Sequence, residues 1–137
     1  MCTSQSTVTT NTEKNIDITE DATFYETYSK AASVIIEYRA AVIHVYNSRN
    51  RDIIEKYLHN TTEYLVGLFV KKYSKDHKLT EDDREYITCF YSYSIVGIVS
   101  RWIGEGMPPY DKDLIKRFSE SFDATIDTMI NLCEANN

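Results

Sequence analysis

Between Cys89 and Ile103 the chain carries a single charged residue, Arg101. Phe90, Tyr93, Gly97 and Arg101 fall on one helical stripe. Val96, Val99 and Ile103 lie beside it, and Ile95, Val99 and Trp102 beside those. A surface helix needs one apolar stripe, whereas a helix apolar around most of its circumference must be covered on most sides. With 137 residues available for the whole chain, part of that cover is expected from a second copy. Ser94, Gly97, Ser100 and Gly104 recur at three- and four-residue steps and would let another helix approach closely. Gly97 in mid-helix costs about 1 kcal/mol against Ala, which close packing would offset. The same seam could instead pack on the chain's own last helix, and the two uses can coexist.

The remaining pattern predicts an all-α bundle of four long helices. Tyr25, Tyr28, Ala32, Ile35, Arg39, Val42 and Tyr46 trace a stripe through a first segment from about Asp21 to Ser48. Arg39 interrupts it, and an unpaired charge in a buried seam is costly, so a break is expected there. A second helix is predicted over about Asp52 to Ser74, after capping residues at Asn47-Ser48-Arg49-Asn50. Thr80-Glu81-Asp82-Asp83 reads as a capping box for a third helix running to Gly104. Gly104-Glu105-Gly106-Met107-Pro108-Pro109 stops that helix, with glycines suited to a left-handed cap and prolines that cannot continue it. Asp111 is expected to cap the fourth helix, whose stripe is Leu114, Phe118, Phe122, Ile126, Met129 and Cys133. Four Gly and two Pro are too few for a sandwich or barrel with frequent turns. Residues 1–20, rich in Ser, Thr and Asn, read as a disordered arm or linker, leaving 21–137 as one domain.

Several function classes are disfavoured. Fifteen Lys and Arg stand against 21 Asp and Glu, a net charge of −6, so a nucleic-acid surface is not the main business of this chain. The polar opening lacks the apolar core of a secretory signal, and no apolar run approaches the ~20 residues of a membrane helix, so a cytoplasmic location is expected. Cys2, Cys89 and Cys133 are odd in number and widely separated, which reads as reduced thiols. His44, His59 and His77 share no metal-binding step, so neither metal nor cofactor is expected. With no phosphate loop, nucleophile elbow or Cys-His pair, the chain is not expected to be an enzyme.

The stretch Cys89-Phe90-Tyr91-Ser92-Tyr93-Ser94-Ile95-Val96-Gly97-Ile98-Val99-Ser100-Arg101-Trp102-Ile103-Gly104-Glu105-Gly106-Met107-Pro108 resembles a hallmark of TetR-type transcriptional regulators. In the branch near the dihydroxyacetone-kinase regulators, the C-terminal domain carries an aromatic-rich helix, a Gly, a basic-Trp pair and a Gly-Met-like helix end. Gly97, Arg101-Trp102 and Gly106-Met107 match these positions, and the likeness extends over most of residues 21–134. It implies a homodimer in which the third and fourth helices pair with their counterparts, and a small-molecule pocket enclosed by the first three. The family's N-terminal helix-turn-helix has no counterpart in residues 1–20, so DNA contact would need a head absent from this chain.

The dimer interface is accordingly expected at Ser94, Gly97, Arg101, Trp102, Phe118, Phe122, Ile126 and Met129. Eleven tyrosines suit a pocket for a small apolar or aromatic effector, since each ring is apolar and each hydroxyl needs a partner. Tyr28, Tyr46, Tyr64, Phe90 and Tyr93 are the expected ligand contacts, with His44, between Ile43 and Val45, the first polar candidate. The competing reading is a ligand-free helical module that dimerises with a full-length regulator.

Overall fold

A computed structural model describes residues 22–137. The expectation of an arm over residues 1–20 lies outside the described residues. Among the described residues five helices follow one another: α1 (Phe24–Glu37), α2 (Arg39–Tyr46), α3 (Arg51–Tyr73), α4 (Glu81–Gly104) and α5 (Asp111–Ala135). No strand occurs among the described residues. The architecture is all-α as expected, with five helices rather than four because the first segment divides completely at Tyr38. There the backbone leaves the helical region (φ −101, ψ 33). Arg39, which would have faced the seam, is thereby turned outward, and its guanidinium donates to the Gly106 carbonyl at 2.6 Å.

Local chemistry sets the helix ends. Thr23 and Glu26 form a reciprocal capping box at the start of α1. Thr23-Phe24-Tyr25-Glu26 carries the T-x-x-E signature of that motif. Thr80 and Asp83 cap α4 in the same way, as predicted. Asp111 does not cap α5. The N-cap is Tyr110, without a side-chain hydrogen bond, and Asp111 is the first helical residue.

The end of α4 is a Schellman turn. The Gly106 amide donates to Ile103 and the Met107 amide to Trp102. Gly106 has φ +90 and Met107 φ 54, so two successive residues occupy the left-handed region. Met107 and Trp102 are both buried, supplying the apolar contact that accompanies this motif. The indole N–H of Trp102 donates to the Pro108 carbonyl at 2.9 Å, fixing the ring against the turn. Gly104 is close-packed for another reason, since a Cβ there would lie 3.4 Å from the Tyr46 ring.

α1 runs antiparallel to α5, and α3 antiparallel to α4. α3 and α4 form the most extensive pair, with Gly67 beside Thr88 and the rings of His59 and Tyr93 4.8 Å apart. α1 lies along α5, where Phe24 stacks on Phe122 at 4.6 Å and Tyr28 meets Phe118 edge-on at 6.1 Å. Phe122 also contacts Phe69, Tyr73 and Tyr91, so one ring joins α1, α3, α4 and α5. Tyr91 reaches Thr125 at 2.6 Å, and Thr125 donates onward to the Ser121 carbonyl. Tyr91 is therefore the donor. At the far end Glu134 accepts from the Lys78 amide at 2.6 Å and meets His77 at 3.1 Å, clasping α5 to the α3–α4 loop. Cys133 is a free thiol.

Two outcomes are expected. Gly106→Ala should lower stability in thermal or urea unfolding by about 1–2 kcal/mol through backbone strain, because open space surrounds the site and no clash would contribute. Hydrogen bonds from Lys78 and His77 hold the Glu134 carboxyl below the usual carboxylate range. Its contribution is thus present above the unfolded-state value and lost as pH falls through the folded one. Wild type should exceed Glu134→Gln in stability near neutrality, and the gap should close on acidification through that range.

Candidate functional site

One cavity opens between α1, α3, α4 and the start of α5. The space free of atoms there, its open mouth included, is about 520 Å³. Tyr28, Leu58, Thr62, Trp102 and Phe118 form a buried floor. Ile36, Tyr57, Asp111 and Leu114 form a partly exposed rim. Ala31, Ala32 and Ile35 complete the α1 wall, and the two small alanines there leave room that larger side chains would fill.

The floor is apolar but not devoid of hydrogen-bonding groups. The Tyr28 hydroxyl lies 3.3 Å from the Thr62 hydroxyl. Burial pushes Tyr28 up to about 12, so its phenol stays neutral, although the Thr62 contact works in the opposite direction. Trp102 presents its ring to the cavity while its N–H is held by Pro108. The α4–α5 turn, Arg39 at the α1–α2 break and the cavity floor are therefore physically continuous.

Only part of the sequence-derived pocket set meets here. Of the six expected ligand contacts, Tyr28 alone lines the cavity. His44 is exposed on α2. Tyr46 is buried away from the cavity, beneath the Arg51 guanidinium (4.5 Å) and against Gly104. Tyr64 is half-buried against the core. Phe90 and Tyr93 point outward, 48% and 52% exposed. The reason is rotational: α4 gives Ile87, Tyr91, Ile95, Val99 and Trp102 to its neighbours, which turns Phe90 and Tyr93 to the opposite side.

The residues expected at a dimer interface divide similarly. Ser94, Gly97 and Arg101 lie on the exposed face of α4, where a Cβ on Gly97 would touch nothing. Trp102 and Phe118 instead line the cavity, and Phe122 and Ile126 are buried in the chain's own core. Met129 is half-buried against that core. The α5 stripe read as a partner-facing seam is thus occupied by α1, α3 and α4. Leu58, Trp102 and Phe118 were missed as cavity residues because their apolar character identifies burial, not the presence of an adjacent void.

Comparison with known families decides the broader question. The model of the TetR-type transcriptional regulator C-terminal region matches residues 22–124, three-quarters of the chain. The chain belongs to this family. No curated protein and no solved structure matches it. TetR-family regulators act as dimers that bind small-molecule effectors, and the family is regulatory rather than enzymatic. Among the described residues no helix of this TetR-type domain is long and apolar enough to cross a membrane. No group of three or more His, Cys, Asp or Glu able to hold a metal occurs among them either.

The Tyr28–Thr62 contact is open to test. Thr62→Val should cost about 1–3 kcal/mol by leaving the buried phenol unpaired. Most of that loss should disappear when Tyr28→Phe is added, and a double-mutant cycle in urea unfolding reads the coupling directly.

Proposed function

We propose that this chain is the small-molecule-sensing and homodimerising domain of a TetR-like transcriptional regulator, spanning residues 21–137. Gly97, Arg101-Trp102 and Gly106-Met107 support its placement near the dihydroxyacetone-kinase-regulator branch. The observation that carries the reading is the double use of α4. Val99 and Trp102 face the cavity, while Tyr86, Phe90, Tyr93 and Ile98 form an exposed apolar stripe on the other side, between 46% and 57% accessible. Large apolar groups concentrated on one helix face are characteristic of a surface that becomes covered. Ser94 and Gly97 on the same face leave space for a second helix, and the open space around Gly97 offers no reason for glycine within the chain itself.

The occupant that fits is a second copy. A twofold-symmetric interface needs a self-complementary patch, and the α4 stripe offers both bulky rings and small gaps for them. Thr125 of α5, which Tyr91 contacts beside the stripe, is also exposed. A ligand in the cavity would press on Val99 and Trp102, and any displacement of α4 would be shared by the paired subunits. In a complete regulator, that displacement would shift the population of DNA-competent dimers. The chain contributes the sensor, and operator contact is left to a helix-turn-helix head.

Sedimentation across micromolar concentrations tests the interface. The wild-type domain should run as a dimer, and Gly97→Leu should raise its dissociation constant about tenfold or more (~1.4 kcal/mol). A Cβ at that position meets nothing within 4 Å among the described residues, and leucine favours the helix over glycine, so the variant should fold as well as wild type. A wild-type monomer throughout that range would overturn the assignment.

A further inference from the structure

The cavity has a sign. Among the described residues that line it there is no Lys, Arg or His, and the one carboxylate is Asp111 on the rim. Among the described residues Asp111 makes no ion pair and no side-chain hydrogen bond, whereas Asp113, two residues on, is paired with Arg117 at 3.2 Å. The start of α5 by itself favours an anion, with roughly half a positive charge at a helix N-terminus. Asp111 already occupies that position with a full negative charge, so a second anion at the rim would meet net repulsion. A buried ligand anion would find no counter-charge at all, which is prohibitive in an apolar site.

A cation meets the opposite conditions. The rings of Tyr28, Tyr57, Trp102 and Phe118 line the same space as Asp111, and aromatic faces attract an ammonium. The chain's net charge of −6 draws cations toward it. Thr61 adds an independent sign of a missing occupant. It lines the cavity, it is 94% buried (6% exposed), and its hydroxyl has no hydrogen-bond partner among the described residues. Such groups are rare in native structures and call for a partner.

We infer that the effector is an apolar molecule bearing one positive charge, an alkyl- or arylammonium compound, with its charge beside Asp111 and its body over the aromatic floor. A polar group within that body, where present, would meet the unpaired Thr61 hydroxyl. The inference rests on reading the cavity as the effector site.

The chain's single tryptophan, Trp102, lies in the cavity and provides the readout. Decylammonium, decanol and decanoate, matched in chain length and kept below micelle-forming concentrations, would be titrated at neutral pH against tryptophan fluorescence. Decylammonium should bind at least tenfold more tightly than decanol, with decanoate weakest. Asp111→Asn should reduce decylammonium to the level of decanol and leave decanol unchanged. Asp113→Asn, which removes an equal charge outside the cavity, should alter neither. Decanoate binding as tightly as decylammonium, or a preference that survives Asp111→Asn, would overturn the charge assignment while leaving the cavity an effector site. If none of the three perturbs Trp102, the effector-site reading falls together with it.

Discussion

The stacking of Phe122 on Phe24, with Phe69, Tyr73 and Tyr91 around the same ring, is the contact on which the domain's geometry depends. It draws four of the five helices to one point and fixes which face of α5 is turned inward. One turn toward the N-terminus of α5, Phe118 meets Tyr28 across a wider gap, and the cavity opens there. Core and cavity are consecutive stretches of the same α1–α5 seam. Close ring stacking fills the first, while Ala31, Ala32, Thr61 and Thr62 leave the second incompletely filled.

The same packing assigns α4 its two roles. With α3 and α5 covering Ile87, Tyr91, Ile95, Val99 and Trp102, the helix leaves Phe90, Tyr93 and Ile98 about half exposed. Its all-round apolar character is thus divided between an inner wall and an outer stripe. The Schellman turn at Gly106-Met107, the Trp102–Pro108 hydrogen bond and the Arg39–Gly106 contact anchor the cavity end of α4. A change in cavity filling would be felt first at this corner, where α2, α4 and the α4–α5 turn are joined.

Several features were legible in the residues. The Thr80–Asp83 box, the stop at Gly104–Pro109 and the break beside Arg39 all depend on interactions within a few positions of one another, and each lies where the pattern placed it. Most of the expected pocket set lies away from the cavity. Tyr46, Tyr64, Phe90 and Tyr93 each satisfy the rule that a stripe tyrosine or phenylalanine seeks cover, yet only Tyr28 reaches the void. Amphipathic spacing says that a side chain leaves water; it does not say which neighbour receives it. Phe118, Phe122 and Ile126 show the converse, since their regular spacing suits an external partner and an internal one equally well.

Helix content, most helix limits and membership of the regulator family were determined by the sequence alone, because they follow from periodicity, capping chemistry and a motif contiguous along the chain. Tertiary structure alone decided that Trp102 and Phe118 border a void while Phe90 and Tyr93 face outward, and that Asp111 stands at the rim instead of capping its helix. Each of these turns on the rotation of one helix about its axis against its neighbours. That rotation is fixed by contacts between residues far apart in the chain, such as Phe24 with Phe122 and Tyr28 with Phe118, which spacing within a single helix does not encode.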